Sequence, residues 1–375
     1  MSSARPNKTW LTRHRLAGIL APMNAQPARN ASPDGEFVRD TTYIDDHFSA
    51  DLAPGSDPQP AENGSYAWPV EAGRYRLMAA RTCPWAHRAI IVRRLLGLED
   101  AISLGLAGPT HDARSWTFDL DPNGKDPETG LHFLKDAYEA RFPGYPRGIT
   151  VPVVVEKRTR AAVTNDFHRI PIDFQDAWRA HHRDGAPDLY PLKLRAEIDE
   201  IAGRVYRHVN NGVYRAGFAG SQDAYDEAYA DLWEHMDWLE DHLGRHRFLV
   251  GEHISLADIY LYPTLIRFDP VYVGHFKASR NRIAQMPNLR GYLQELFQLP
   301  GFGDTTDFQE IKEHYYITHA EINPTGVVPA GPDMRWLVDA HQRDRLPGAP
   351  FADGVTPPRP VRAGEEVKHP APFQC

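Results

Sequence analysis

Hydrophobic and polar residues are spaced differently in four successive parts of the chain. Between residues 71 and 183, short apolar runs alternate with turn residues, which is typical of an α/β domain. From residue 184 to 322, apolar positions recur at helical spacing and predict an all-helical domain. Residues 1–70 and 323–375 are rich in Pro, Gly and polar residues. We interpret these two parts as an N-terminal extension lying over a folded body and a Pro-rich C-terminal tail partly packed on the domains.

The first strong pattern is a strand, a helix and a second strand. Residues 74–80 alternate and then become wholly apolar, as a strand entering a core does, and an apolar helical stretch follows at 84–96. Gly97 is expected to end that helix, and residues 101–107 to form the next strand. Two strands joined in this way predict a parallel pair with a right-handed crossover.

A second pair of strands is predicted after an irregular insert. Residues 150–156 form a buried strand, and residues 160–164 pair with it across a polar turn. Proline cannot donate a hydrogen bond within a sheet, so Pro152 marks the strand start and Val151–Pro152 is a candidate cis peptide bond. Together with a Cys-Pro pair at the first helix, this pattern outlines a thioredoxin-like sheet whose proline loop faces the cysteine sulfur.

Helical periodicity dominates the second domain. The predicted helices are 192–209, 224–243, 256–267, 288–297 and 308–319. Ser255 and Asp258 have the spacing of a capping box, and we interpret both as structural. Asn165 and Asp166 are expected to cap an earlier helix.

Composition and charge exclude several functions. The net charge is −8, with acidic and basic residues interspersed, so neither nucleic acid nor a membrane surface is expected as a partner. No apolar run approaches the roughly 20 residues of a membrane span, and the N-terminus lacks the apolar core of a signal peptide. With two cysteines the protein is expected in a reducing cytoplasm. No Cys/His spacing suggests a metal site, so no metal is expected.

Cys83 is the candidate nucleophile. It stands at the predicted strand-to-helix turn, where Pro84 suits the first helical position and the helix dipole favours a thiolate. Ala86 stands where a resolving thiol would be, and the other cysteine, Cys375, ends the tail. A buried structural cysteine is the alternative. We predict a monothiol nucleophile with a pKa below that of a free thiol.

Several stretches of sequence, taken together, resemble one family. They are Cys83-Pro-Trp-Ala-His-Arg88, Thr150-Val-Pro152, Asn210-Asn-Gly-Val-Tyr-Arg-Ala-Gly-Phe218, Arg267-Phe-Asp-Pro-Val-Tyr-Val-Gly-His-Phe-Lys277 and Asn323-Pro-Thr-Gly326. From about residue 75 to residue 329 the chain resembles the glutathionyl-hydroquinone reductases, the xi class of glutathione transferases. The resemblance implies an N-terminal thioredoxin-like domain followed by an all-helical glutathione-transferase C-terminal domain, usually in a homodimer.

The resemblance also implies roles for individual residues. The nucleophile falls on Cys83, the proton donor or acceptor on Tyr214, and two tyrosines that lower the thiol pKa on Tyr272 and Tyr315. Taken singly, each tyrosine is better explained by packing, and the motifs around them carry the assignment. The residues implied for binding the thiol are Trp116, Thr150, Val151, Pro152, Val153, Asp166 and Phe167.

The chain departs from the family at Asp166-Phe167, where the family commonly has Glu-Ser to receive the γ-glutamyl end of glutathione. Asp166 can pair with an ammonium group, whereas Phe167 offers no hydroxyl. Glutathione is the co-substrate that the resemblance implies, and mycothiol stays open as the thiol.

The implied function is removal of glutathione, or of a related low-molecular-weight thiol, from S-conjugated hydroquinones. Two alternatives stay open. One is an omega-like deglutathionylase or dehydroascorbate reductase, since those enzymes have a similar Cys-Pro start. The other is a non-catalytic binding module with a transferase-like fold, which a missing nucleophile would favour.

Overall fold

A four-stranded sheet lies at the centre of the first half of the chain. The structure, a computed structural model, describes residues 32–369. Its strands are β1 His47–Ser49, β2 Gln59–Pro60, β3 Tyr66–Pro69, β4 Tyr75–Ala79, β5 Ile102–Leu106, β6 His111–Asp112, β7 Ser115–Trp116, β8 Val153–Glu156 and β9 Ala161–Thr164. The central sheet has the order β5-β4-β8-β9, with β4 parallel to β5 and antiparallel to β8. The predicted parallel pair is confirmed, and the Val151–Pro152 peptide bond is cis.

Helix α1 is the element on which both halves of the molecule pack. The helices are α1 Pro84–Leu96, α2 Lys135–Arg141, α3 Arg169–Asp176, α4 Arg195–Val205, α5 Gly212–Gly217, α6 Gln222–Leu243, α7 Leu256–Arg267, α8 Pro287–Gln298 and α9 Phe308–Thr318. Every residue of α1 is buried, because α3 of the first domain and α7 of the second both pack against it. Gly97 ends α1 with left-handed backbone (φ 71°), as glycine readily does. The predicted bounds of α1 are confirmed.

The second half of the described chain is helical, as predicted, with α6 to α9 close to their predicted bounds. At the start of α7, the Ser255 amide and hydroxyl both donate to the Asp258 carboxylate, at 2.9 and 3.0 Å. The helix predicted at 192–209 is divided, because α4 passes into a π-helical turn at Tyr206–Asn210 before α5. Within residues 32–369, no helix is both long and apolar enough to cross a bilayer.

The cap predicted before α3 is partly wrong. Asp166 Oδ1 accepts from the amides of His168 and Arg169, at 2.9 and 3.3 Å, and α3 begins only at Arg169. Asn165 does not cap the helix. Its side-chain oxygen instead accepts from the Ile44 amide at 2.7 Å, so a residue of the N-terminal extension occupies the oxygen that would have capped the helix.

The described part of the N-terminal extension is more ordered than its sequence pattern predicts. Strand β3 pairs in parallel with β1 and antiparallel with β2 to form a small sheet. Asp46 holds this sheet, because its carboxylate accepts from the Tyr66 amide at 2.9 Å and the Trp68 indole at 2.8 Å and pairs with Arg141 at 2.7 Å. Such short two- to four-residue strands give too little alternation to be recognised in the sequence.

The C-terminal tail, described to residue 369, packs on both domains. On the helical side, the Ile254 amide donates to the carbonyl of Pro350 at 3.0 Å. On the side of α1, both carboxylate oxygens of Glu365 accept from Arg93, at 2.7 and 2.8 Å. Up to residue 369 the tail packs on the domains as expected, and it is extended except for two 3₁₀ turns at Arg335–Val338 and Arg343–Arg345.

Three buried arginines in and next to α1 are bonded to this tail. The Arg81 guanidinium donates to the carbonyl of Glu365, and that of Arg94 donates to the carbonyl of Arg359. Arg93 forms the ion pair with Glu365 described above. The tail therefore supplies hydrogen-bond acceptors to three cations that are buried in the folded protein.

Candidate active site

Cys83 lies at the turn between β4 and α1. Its backbone is extended (φ −80°, ψ 121°), and Pro84 follows as the first residue of the helix. The thiol is buried and donates to the carbonyl oxygen of Val151, with the sulfur 3.4 Å from that oxygen. Cys83 and the Val151–Pro152 loop are thus brought together at the N-terminus of α1. Cys375 lies outside the described residues.

Burial is the largest influence on the Cys83 thiol and raises its pKa above the ordinary value. Hydrogen bonds from the Ala86 and Trp85 amides lower this pKa, and so do the positive charges of Arg267 and Arg39. The expectation of a lowered thiol pKa is therefore wrong for this structure. Desolvation disfavours the thiolate by more than the helix terminus and the two guanidinium groups favour it.

Arg267, the last residue of α7, fixes the backbone just before Cys83. Its completely buried guanidinium donates to the carbonyls of Arg81 at 2.6 Å and Thr82 at 3.1 Å. It also donates to Nδ1 of His87 at 3.2 Å. One side chain of the helical domain thus holds both the turn that carries Cys83 and the first turn of α1.

Arg88 forms a second buried network one helical turn beyond Cys83. Its guanidinium donates to Asn210 Oδ1 at 2.7 Å and to the Tyr260 carbonyl at 3.0 Å. The Asn210 amide donates onward to Thr264 at 2.7 Å. Burial lowers the pKa of Arg88 to about 10. The guanidinium lies 4.7 Å from the ring centroid of Trp85, so it also supports the side chain next to Pro84.

Three tyrosines that the sequence separates widely are joined by hydrogen bonds. The Tyr315 hydroxyl lies 2.6 Å from that of Tyr214 and 2.9 Å from that of Tyr272. Tyr214 is in α5 and Tyr315 in α9, while Tyr272 ends a π-helical turn that follows α7. Burial raises the pKa of all three, and for Tyr214 the nearby Cys83 charge raises it further. These hydroxyls remain protonated at neutral pH.

The residues that the family resemblance implies for binding the small-molecule thiol lie in two places. Trp116, in β7, stacks its indole on the imidazole of His314, with ring centroids 5.3 Å apart and planes 14° apart. Thr150, next to the cis peptide bond, is fixed by hydrogen bonds. Its carbonyl accepts from the Tyr138 hydroxyl at 2.7 Å and its hydroxyl from the Asn165 amide at 2.8 Å. The loop that precedes β8 is therefore held on both sides.

Asp166 and Phe167 have different environments. Phe167 is buried, with its ring centroid 4.6 Å from that of Trp85 and 5.3 Å from that of Tyr43. Asp166 accepts from amides at the start of α3, and burial raises the pKa of its carboxyl group. The position of Phe167 thus contributes aromatic packing and no hydrogen-bond donor.

Two groups of side chains in the described part of the chain bring metal-ligating atoms together, and neither includes Cys83. They are His208, Asp231 and His235, and Glu295, His341 and Asp344. In the first group, the imidazoles stack in parallel at 3.8 Å, and Asp231 is paired with His208 and Arg215, each at 2.8 Å. The carboxylate of Asp231 is therefore already bound by two protein side chains.

Comparison with known proteins is consistent with this geometry. The family models for the glutathione S-transferase N-terminal and C-terminal domains match residues 82–171 and 222–295. The glutathionyl-hydroquinone reductase YqjG of Escherichia coli is 42% identical to this chain over 84% of the chain and 94% of its own length. The chain belongs to the xi class of glutathione transferases.

Solved structures agree with the xi-class assignment. A glutathione transferase from Gordonia bronchialis is 58% identical, with a TM-score of 0.82 over 87% of this chain and 98% of its own. The xi transferase of Phanerochaete chrysosporium is 38% identical, with a TM-score of 0.73 over 80% of this chain and 94% of its own. The thioredoxin-like domain followed by a helical transferase domain is therefore established for this chain.

Sequence analysis assigned no role to the three guanidinium groups near Cys83 of this xi-class transferase. Arg88 and Arg267 lie within apolar helical stretches, where a charged residue favours a buried and bonded cation, so a signal for them was present. Arg39 lies in the extension, where no periodicity gave a signal. Only the structure brings it to the site.

Alkylation of Cys83 tests the electrostatic balance at this site. In a Cys375→Ser background, the alkylation rate is expected to rise with pH around a midpoint above the usual thiol pKa of roughly 8.5, because burial raises the pKa of Cys83. The measurement is the rate of iodoacetamide labelling against pH, with the urea-unfolded protein as the control. A midpoint below that of the unfolded protein would show that the amides and guanidinium groups outweigh burial.

Proposed function

We propose that the protein is a thiol-dependent reductase that removes glutathione, or a related low-molecular-weight thiol, from S-conjugated hydroquinones. The position of Cys83 carries this proposal. It is the single thiol of residues 32–369, it stands at a helix N-terminus, and its sulfur is 3.4 Å from the Val151 carbonyl. The name of the YqjG relative supports the same activity.

In the first step the Cys83 thiolate attacks the sulfur of the conjugate. A disulfide forms between Cys83 and the low-molecular-weight thiol, and the bond between that sulfur and the ring carbon breaks. The carbon keeps the electron pair and takes a proton, so the hydroquinone is reduced as the two sulfurs are oxidised. Tyr214 is suited to give this proton, because burial raises its pKa and keeps its hydroxyl protonated.

The second step regenerates the cysteine. A further thiolate attacks the mixed disulfide at the sulfur of the bound thiol and releases Cys83 as a thiolate, so the product is the disulfide of the small thiol. Tyr214 recovers its proton from the second thiol as that thiol ionises, and the hydroxyls of Tyr315 and Tyr272, joined to Tyr214 by hydrogen bonds, complete the proton path. Two half-reactions through a covalent intermediate give ping-pong kinetics.

We place the small-molecule thiol on the face of the sheet at the Val151–Pro152 loop. Backbone groups from Thr150 to Val153 would pair with the peptide-like part of the thiol, and Trp116 would hold it from the other side. If the thiol is glutathione, Asp166 would receive its ammonium group. Glutathione fits these contacts, whereas mycothiol has no γ-glutamyl end and would need neither the carboxylate of Asp166 nor a hydroxyl at position 167.

A location in the cytoplasm and assembly as a homodimer belong to the same proposal and rest on the family resemblance. Omega-like reduction of mixed disulfides remains the second candidate, because it needs only the exchange chemistry of Cys83. The two activities differ in whether a carbon–sulfur bond is broken.

Turnover of a glutathionyl-hydroquinone tests the function directly. Wild-type protein with excess glutathione is expected to release the free hydroquinone, and Cys83→Ser is expected to lose this activity, because a hydroxyl cannot form the mixed disulfide. The measurement is hydroquinone release followed by chromatography.

The matched control is Cys375→Ser, which should retain nearly full activity. Loss of activity in that variant would mean that the tail supplies a second redox thiol. Reduction of a glutathionyl disulfide without cleavage of the hydroquinone conjugate would instead favour the omega-like activity.

The tyrosines are tested by single substitutions to phenylalanine. Tyr214→Phe, Tyr272→Phe and Tyr315→Phe should each slow hydroquinone release in a single turnover by about 10- to 1,000-fold, since each removes a hydroxyl from the proton path. Rapid-quench measurement of the first half-reaction gives these rates.

Tyr262→Phe is the matched control for these variants. Its hydroxyl is equally buried and lies 2.9 Å from that of Thr306, away from the three joined tyrosines. Unchanged rates in all three variants would show that Tyr214, Tyr272 and Tyr315 serve packing alone.

Substitutions of Phe167 test which small thiol the protein uses. In the second half-reaction we expect the wild type to react more slowly with glutathione than with mycothiol. Phe167→Ser should react with glutathione about 10- to 100-fold faster than Phe167→Ala, because one hydrogen bond to a charged group has about this value. Phe167→Ala controls for loss of the ring. Micromolar saturation by glutathione in the wild type, with equal behaviour of the two variants, would assign glutathione as the ordinary thiol.

A further inference from the structure

The N-terminal extension crosses the site between the two domains. We call residues 34–44 the bridging segment. At one end, the Gly220 amide of the helical domain donates to the carbonyl of Gly35 at 2.7 Å. At the other end, the Ile44 amide donates to Asn165 and its carbonyl accepts from Thr164, both at 2.7 Å. The bridging segment is therefore fixed to both domains.

Arg39 is in the middle of this segment. Its guanidinium carbon lies 4.7 Å from the ring centroid of Tyr214 and 4.8 Å from that of Trp85. Its Nε donates to Asn211 Oδ1 at 2.9 Å, which fixes the plane of the group. Phe37 stacks on Tyr214, and the Arg39 guanidinium also lies 5.2 Å from the Phe37 ring centroid. The cation is thus held against the ring of the proposed proton donor.

The charge of Arg39 has no counterion among residues 32–369. Its Nη2 atom is buried and has no hydrogen-bond partner in that part of the chain. The buried guanidinium groups of Arg76 and Arg93 each pair with a carboxylate, at 2.7 Å. Arg88 also has nitrogens without a partner, but it lies completely buried inside α1, whereas Arg39 is only half-buried, in the segment that crosses the site. A buried donor without a partner costs free energy, so a position of this kind points to a ligand.

We propose that Arg39 binds an anionic oxygen of the substrate, and that this oxygen belongs to the hydroquinone. This inference rests on the proposed function. When the carbon–sulfur bond breaks, the ring carbon takes up an electron pair, and in the keto tautomer this charge spreads onto a ring oxygen. A guanidinium beside Tyr214 stabilises that oxygen while the hydroxyl of Tyr214 gives its proton to the carbon.

The charge at the site supports this assignment. The positive charge of Arg39 lowers the pKa of both Cys83 and Tyr214, so its field already favours negative charge at the two groups that react. A planar guanidinium whose Nη2 has no partner among the described residues matches an oxygen anion better than a flexible ammonium does. A carboxylate of the thiol offers the same chemistry, and the experiment separates the two sources.

The test uses binding of two small probes to the full-length protein. 4-Nitrophenolate, at a pH where it is fully ionised, carries the phenolate oxygen, and 4-nitroanisole is its neutral ether. Wild-type protein is expected to bind the phenolate more tightly than the ether. Arg39→Gln should weaken phenolate binding by roughly 10- to 100-fold and leave ether binding unchanged, because one charged hydrogen bond is lost. Isothermal titration calorimetry measures both affinities.

Two further variants make the result specific. Arg39→Lys keeps the charge and should lose less phenolate affinity than Arg39→Gln. Arg147→Gln removes an exposed ion pair to Asp40 in the same segment and should change neither affinity. Equal affinity of the wild type for the two probes would overturn the proposal, and this comparison holds even if Arg39→Gln fails to fold.

A kinetic measurement shows whether Arg39 binds the hydroquinone oxygen or a carboxylate of the thiol. The rates of the second half-reaction with glutathione and with 2-mercaptoethanol, which has no carboxylate, should keep the same ratio in Arg39→Gln. A selective loss with glutathione, with phenolate binding unchanged, would assign Arg39 to the thiol and overturn the proposal. The binding measurements need no turnover. An inactive protein whose phenolate binding depends on Arg39 would refute the proposed function, and with it the hydroquinone as the ligand, and would leave Arg39 as a site for an anionic oxygen.

Discussion

The guanidinium of Arg267 is the contact on which the site depends. Arg267 is the last residue of α7, in the helical domain, and its guanidinium donates to the carbonyls of Arg81 and Thr82. The turn that carries Cys83, in the thioredoxin-like domain, is therefore held by the helical domain. Since α1 is buried between α3 and α7, its N-terminus cannot shift without disturbing that contact. The domain interface and the position of the nucleophile are therefore one structural unit.

The same arrangement explains why the thiol is buried among cations. A thiolate at Cys83 loses the solvation of water, and the helix amides and the two guanidinium groups of Arg267 and Arg39 replace only part of it. Cys83 therefore stays protonated unless a further group stabilises its thiolate. A substrate that excludes water and adds hydrogen bonds at the sulfur would change that balance at the moment of reaction, whereas a permanently ionised thiol would react with any oxidant.

Sequence pattern predicted the elements that carry Cys83 well and the groups that surround it poorly. The helix from Pro84 to Leu96 and the cis bond before Pro152 follow from local rules, namely helix capping by Gly97 and the small trans preference of the peptide bond before a proline. The hydrogen bonds among Tyr214, Tyr272 and Tyr315 join three helical segments far apart in the chain, and only tertiary packing brings them together. The small sheet of the extension has strands too short for a periodic signal, and Arg39 could not be placed for the same reason.

The bonds between the tail and α1 have a consequence for how the protein is made. Arg81, Arg93 and Arg94 are translated at least 265 residues before their acceptors at Arg359 and Glu365. A nascent α/β domain therefore carries cations whose acceptors in the tail have not yet been synthesised, and the full pairing of those groups has to wait until residue 365 has left the ribosome. The first helix can reach its native environment only after that point.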